Sequence, residues 1–218
     1  MGVREIAEEF LRRGGKHLRP RLCRAVCETA LGASAPAGLD PVLEAVECFH
    51  KASLIHDDIQ DGDEERYGRP AVWKEHGVGL AIAAGDWLVA RGYGLIAACA
   101  LPAANEMLRA TVRSHLTLCE GQGDELSGAS DYLSVCARKT GEAFALAAEL
   151  GALAAGADPA KWRAYGLVYG VLFQIEDDLA DGEFVRRRGA DAASLRKWRE
   201  EYERKAAVCR DQCALGVW

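Results

Sequence analysis

From Val42 to Ile59 the apolar residues Val42, Ala45, Val46, Phe49, Ala52, Ile55 and Ile59 recur three or four positions apart. That spacing builds one face of an α-helix and cannot build the alternating face of a strand. The run opens at Asp40-Pro41, read as an N-cap followed by proline at the first helical position, and it closes at Asp61-Gly62. Residues 2–12 can form a short helix that stops at Gly14-Gly15, and a second runs from about Pro20 to Leu31. Further helices are expected over 76–100, 104–126, 131–156 and 159–181. The last is apolar nearly all round, which places it in the middle of a bundle. Nothing alternates with period two for long, so no sheet is expected. The fold class that follows is all-α, a single-domain helical bundle over residues 1–218.

With 218 residues the chain can bury a substantial core. A net charge of −6 gives no general attraction to nucleic acid or to an anionic membrane. No apolar run reads as long enough to span a bilayer and no basic-then-apolar leader opens the chain, so a cytoplasmic protein is expected. The cysteines stand at 23, 27, 48, 99, 119, 136, 209 and 213 without any CxxC. Most fall inside helical patterns, where a reduced thiol behaves as a small apolar side chain. Cys209 and Cys213 are the expected exceptions.

Two acidic segments stand out, DDIQD at 57–61 and EDDLAD at 176–181. Asp57 and Asp61 are four apart, as are Asp177 and Asp181, so on a helix each pair projects from one face. Carboxylates repel phosphate unless a hard cation stands between them. Mg²⁺ suits that place, taking one or two carboxylates and completing its shell with water and substrate phosphate. A calcium loop is excluded for DDIQDGDEERYG, because Ile59 holds the third position and Gly68 the twelfth, where a bidentate Glu is required. Basic residues flank the motifs: Lys16 and Arg19 after a glycine pair, Arg66 and Arg69 in RYGRP, and Lys139 with Thr140 in RKTGEAF. An anion clamp beside metal-binding carboxylates is the chemistry this pattern suggests.

The segments GGKHLRPRL, HKASLIHDDIQD with RYGRP, AIAAGDWL, GQGDEL, KTGEAFALAAELGALAAG and FQIEDDLAD resemble, in order, the trans-isoprenyl diphosphate synthases, or polyprenyl synthetases. The resemblance covers about residues 14 to 181. It implies helices around a central apolar tunnel, usually in a homodimer. It also implies a reaction in which an allylic diphosphate ionises, the double bond of isopentenyl diphosphate attacks, and a proton is lost. Asp57, Asp61 and Asp177 would ligate Mg²⁺ against the allylic diphosphate, with Asp58, Asp178 and Asp181 as nearby or water-mediated partners. Arg66, Lys139, Thr140 and Gln174 would hold the allylic end, and Lys16, Arg19 and His50 would hold isopentenyl diphosphate. The small Ala52 and Ser53 before the first motif would let a growing tail past as far as Phe49, implying a product of C20 or longer.

The chain departs from the family pattern at three places. Tyr67 stands where a second arginine is usual, Glu125 replaces the aspartate of GQxxD, and no KxxGxD lysine loop follows Asp181. Arg186, Arg187 and Arg188 are the nearby cations that could replace that lysine. Two alternatives follow: a cyclase-like enzyme that ionises an allylic diphosphate without condensing it, and a non-catalytic partner subunit of an active synthase.

Overall fold

The computed structural model describes residues 1–128, 131–181 and 190–213, with Asp181 described in its backbone alone. They fall into two compact units, residues 1–21 with 37–104 and residues 22–36 with 105–218. Helices dominate both, as the periodicity predicts.

The first unit is built on α1 (Val3–Arg12), the opening turn of α2 (Leu18–Leu31), α3 (Asp40–Asp61), α4 (Val72–His76) and α5 (Val78–Ala98). The predicted apolar row on α3 is buried except for the half-buried Ile59: its Ala52 and Ile55, with Cys48 beside them, meet Ile6, Ala7 and Phe10 of α1 and Ala81, Ala84 and Leu88 of α5. Arg91 of α5 donates to Glu44 of α3 at 3.0 Å and ties the two long helices at their outer edge. At the start of α3, Asp40 is already helical and Leu39 is the cap, one residue earlier than the sequence suggests. Its end is as expected, with Gly62 in the left-handed region at φ 72° and its N–H bonded to the Asp58 carbonyl.

Two sequence expectations fail here. A hairpin does form, β1 (Glu65–Arg66) against β2 (Arg69–Pro70), in antiparallel register with Arg66 opposite Arg69. Strands of two residues are too short to leave a periodic signal. In addition, α5 is long and apolar enough, by length and composition, to cross a membrane. The isolated Asp86 and Arg91 hide that length in a reading by eye.

The second unit holds the rest of α2, α6 (Ala104–Ser127), α7 (Tyr132–Cys136), a π-helical segment (Ala137–Gly141), α8 (Glu142–Ala154), α9 (Ala160–Asp181) and α10 (Ala192–Cys213). The helix expected over 159–181, α9, packs between α8 and α10, while α8 is the more completely buried, with ten buried residues against the exposed Lys161, Ala164, Glu176 and Asp177 of α9. Two glutamates are carried inside by α8 and must be paired. Glu142 accepts from Ser114 and from Arg163 at 2.7 Å, and Glu149 accepts from Arg113 at 2.6 Å and Arg163 at 3.0 Å. These bonds join α6, α8 and α9. The expected helix over 131–156 is interrupted by a π turn against which α9 packs tightly: a Cβ on Gly170 would lie 2.7 Å from the Thr140 carbonyl oxygen and 2.8 Å from the Gly141 Cα.

Of the cysteines, Cys213 is buried and Cys209 half-buried, while Cys119 is the exposed one; all eight are free. Cys119 sits on the outer face of α6, a position the spacing of its neighbours did not single out.

The contact at Gly170 gives a direct stability test. In an open helix Gly→Ala gains about 1 kcal/mol. Here the added methyl meets backbone, which cannot swing aside, so Gly170→Ala is expected to destabilise by about 1–3 kcal/mol. Urea unfolding of the variant checks this, and a gain in midpoint would show that α8 and α9 are not so tightly held.

Candidate functional site

The first acidic motif occupies the last two turns of α3, and its three aspartates differ in exposure. Asp57 is half-buried, Asp61 exposed, and Asp58 buried with no exposed side-chain surface. The hairpin accounts for this. Tyr67 and Gly68 both have positive φ, 56° and 70°, the pattern of a tight two-residue hairpin turn. The turn returns Arg66 over α3, where its Nε donates to Asp58 Oδ1 at 2.8 Å and its Nη2 to the same oxygen and, at 3.1 Å, to Asp63. Burial pushes the Asp58 carboxyl up while the guanidinium pulls it down. The two tendencies oppose each other, and the direct bonds favour an ion pair. Burial likewise works against the Arg66 charge, and Asp58 more than restores it. Asp58 therefore faces the protein, leaving Asp57 and Asp61 as the carboxylates one helical turn apart.

The basic residues gather in the same unit. Arg19 Nη1 lies 3.3 Å from His50 Nε2. Burial holds the Arg19 guanidinium down at about 10, with Glu47, Tyr67 and Asp57 acting the other way, so it stays charged at neutral pH. Burial and the nearby charges of Arg19, Lys51, Arg66 and His17 push the His50 imidazole well below its ordinary range, so it stays neutral there. Lys16 is exposed. Sequence reading missed two members of this cluster. Lys51 is fully buried and donates to the Arg13 carbonyl and, at 2.6 Å, to the Gly14 carbonyl. Glu47 is 7% exposed, its Oε1 lying 3.2 Å from His17 Nδ1. Lys51 is three residues after Cys48 and four before Ile55, on the apolar row, and that was the available signal.

The second motif, in the other unit, repeats the division. Asp177 is exposed and Asp178 buried. Asp178 Oδ2 accepts from the Tyr132 hydroxyl at 2.6 Å and Oδ1 from Gln174 Nε2 at 2.8 Å. Thr140 Oγ1 donates to Gln174 Oε1 at 2.7 Å, so one chain of bonds joins Thr140, Gln174, Asp178 and Tyr132. Tyr132 had not been singled out; its ring stacks on Trp198 with centroids 5.4 Å apart. Lys139 is paired with Glu125, and Arg138 with Asp124 and with Glu120 at 2.7 Å. The unusual Glu125 thus has its own cation. The Asp181 side chain and Arg186, Arg187 and Arg188 lie outside the described residues. Among the described residues no three His, Cys, Asp or Glu side chains converge on one point.

The sequence profile of the polyprenyl synthetases matches residues 2–185, which takes in both acidic motifs. The chain belongs to the polyprenyl synthetase family. It is 35% identical over 206 residues to a geranylgeranyl pyrophosphate synthase of Geoglobus acetivorans, covering 88% of this chain and 64% of that one. It is 39% identical over 179 residues to a geranylgeranyl diphosphate synthase of Mycobacterium tuberculosis, covering 76% and 50%. The chain therefore spans between half and two thirds of these curated relatives. Among solved structures it is similar to a geranyltranstransferase of Thermotoga maritima, with a TM-score of 0.86, 26% identity, and coverage of 99% of this chain and 85% of that one. That likeness establishes the all-α isoprenoid synthase fold.

The neutral imidazoles set a pH dependence for the chain. His50 is pushed well below 6.5, and burial takes His115 down to about 4. A depressed histidine favours the folded state fully only above the unfolded value, and that stability is lost as pH falls toward the folded one. Stability is expected to drop from about pH 6.5 downward and to level off for His115 near pH 4. His115→Gln should flatten that slope in urea titrations at stepped pH; an unchanged slope would remove His115 from the account.

Proposed function

We propose that this polyprenyl synthetase condenses isopentenyl diphosphate with an allylic diphosphate, in the presence of Mg²⁺, to a trans-polyprenyl diphosphate of C20 or longer. The observation that carries the reading is the sorting of carboxylates and cations in the first unit. Asp58 is paired with Arg66, Asp57 and Asp61 stand one turn apart, and neutral His50, about two turns back along the same helix, meets Arg19 of α2. Two hard oxygen donors on one turn fit Mg²⁺, which asks no more than one or two carboxylates when phosphate and water complete its shell.

In this reading Asp57, Asp61 and Asp177 are the metal ligands against the allylic diphosphate. The metal, when bound, neutralises charge building on the departing diphosphate. Asp58 and Asp178 orient their neighbours through Arg66, Tyr132 and Gln174. Arg66, Lys139, Thr140 and Gln174 hold the allylic end, and Lys16, Arg19 and His50 receive isopentenyl diphosphate. As the allylic C–O bond breaks, the isopentenyl double bond supplies the electrons of the new C–C bond, and a proton leaves the adjoining carbon. Apolar walls keep water from the cation. The proposal includes a single polyprenyl synthetase-like domain over residues 1–218, a homodimer, and a cytoplasmic setting, the last supported by eight free thiols.

Incubation with labelled isopentenyl diphosphate, Mg²⁺ and each allylic diphosphate in turn, with products sized, tests the reading. Elongated products support it. Consumption of allylic diphosphate without isopentenyl diphosphate would replace condensation by a cyclase-like ionisation. Asp57→Ala, Asp177→Ala or EDTA should each cut turnover by about a hundredfold or more with the helical circular dichroism unchanged. Near-normal rates would end the metal assignment.

Product length has its own test. Phe49 is 9% exposed and packs edge-on against Tyr93 at 5.4 Å, with Gly92 beneath its ring. If it also closes the tunnel, Phe49→Ala should shift products to longer chains as well as cost about 3–5 kcal/mol of stability. An unchanged distribution in a folded variant would leave Phe49 a packing residue alone.

A further inference from the structure

Lys51 is the fully buried cation that the proposed reaction does not use. An ammonium in such a place must have its donors satisfied and its charge balanced. The carbonyls of Arg13 and Gly14 take two of its protons. Its third side lies against aromatic faces, 4.3 Å from the centroid of Tyr67 and 5.5 Å from that of Phe10. Burial lowers its pKa and Glu47, one turn earlier on α3, raises it in return. The glycine loop touches both partners: a Cβ on Gly15 would sit 3.4 Å from the Tyr67 hydroxyl and 3.5 Å from Lys51 Nζ. Gly15 has φ 121°, a conformation that other residues rarely adopt. Lys51 therefore joins α3, the hairpin tip and the loop that leads directly to Lys16 and Arg19.

Tyr67 is strained in its own right, a bulky side chain at φ 56° in a turn that favours Asn, Asp or Gly. Such strain persists where the surroundings hold the residue, and here they are the Lys51 ammonium and the Phe10 ring. A guanidinium carried at position 67 would bring a second positive charge to the cap of the buried ammonium and remove the aromatic face, and like charges at short range repel.

We propose that Lys51 and Tyr67 act as a single positioning device for the isopentenyl diphosphate site: Lys51 fixes the glycine loop that presents Lys16 and Arg19, and Tyr67 caps Lys51. Tyr67 is then the partner that a buried lysine at position 51 requires, and the cation read as lost at position 67 has its counterpart inside α3. The substrate named here rests on the condensation reading.

A double-mutant cycle on the full chain tests the device, using Lys51→Met, Tyr67→Arg and both together, with Tyr67→Phe and Tyr67→Leu beside them. The readouts are the KM for isopentenyl diphosphate, the allylic KM, kcat and Tm. Tyr67→Phe keeps the ring face and should stay within about twofold of wild type. Tyr67→Leu and Tyr67→Arg should each raise the isopentenyl KM by about tenfold while leaving the allylic KM in place. The double variant should have a KM at least about tenfold below the product of the single effects, with a matching recovery of Tm. Effects that simply multiply, or a lower isopentenyl KM in Tyr67→Arg with Lys51 intact, would overturn the proposal. Should Lys51→Met fail to fold, the three substitutions at the half-exposed hairpin tip decide alone: equal behaviour of Phe and Leu sinks it. A wild type that makes no isopentenyl-dependent product would refute the condensation reading. Coupled Tm shifts would then still support the pair, and additive ones would reject it.

Discussion

The ion pair between Asp58 and Arg66 is the constraint on which the first unit depends. An unpaired carboxylate with no exposed surface would cost about 3–5 kcal/mol, so the hairpin that delivers Arg66 is bound to the end of α3. Once that contact is made, the geometry beyond it is fixed. Asp57 and Asp61 are left one turn apart, and Tyr67 is carried over Lys51. The second unit reaches the same division with neutral donors, where Tyr132 and Gln174 hold Asp178. In each motif the middle aspartate of the acidic run is structural mortar for its neighbours.

Periodicity carried most of the fold. The apolar row from Val42 to Ile59, the termination at Gly62 and the helical nature of 104–126 and 159–181 could all be read without coordinates. The hairpin could not, because two-residue strands have no period and Tyr67-Gly68 is an uncommon turn pair. Nor could the π turn, which leaves no mark in the periodicity of its neighbours. The deeper burial of α8 has a related cause. Composition counts apolar residues, whereas burial depends on which faces meet neighbours, and Ala145, Ala147, Ala148 and Ala152 of α8 are covered.

The candidate site was legible by residue type and less so by role. Sequence alone gathers the aspartates into two motifs but does not distinguish the inward from the outward members. The helical phase does: Lys51 and Asp58 lie on the same row as Cys48 and Ile55, so both charges point into the core. Charged residues are ordinarily assigned to solvent, and that habit hid the row. Where a departure from the family pattern could be followed into the structure, it came with a compensating contact. Glu125 has Lys139, and Tyr67 has Lys51.

The placement of the thiols has a practical consequence. Burial raises the pKa of Cys23, Cys48 and Cys136, the latter two to about 12, so almost none of the nucleophilic thiolate exists at neutral pH. Among the cysteines Cys119 is the exposed one, on the outer face of a long helix. The native chain thus carries its own attachment point for a maleimide dye or spin label. A reporter there would read the motions of the second unit with neither acidic motif altered.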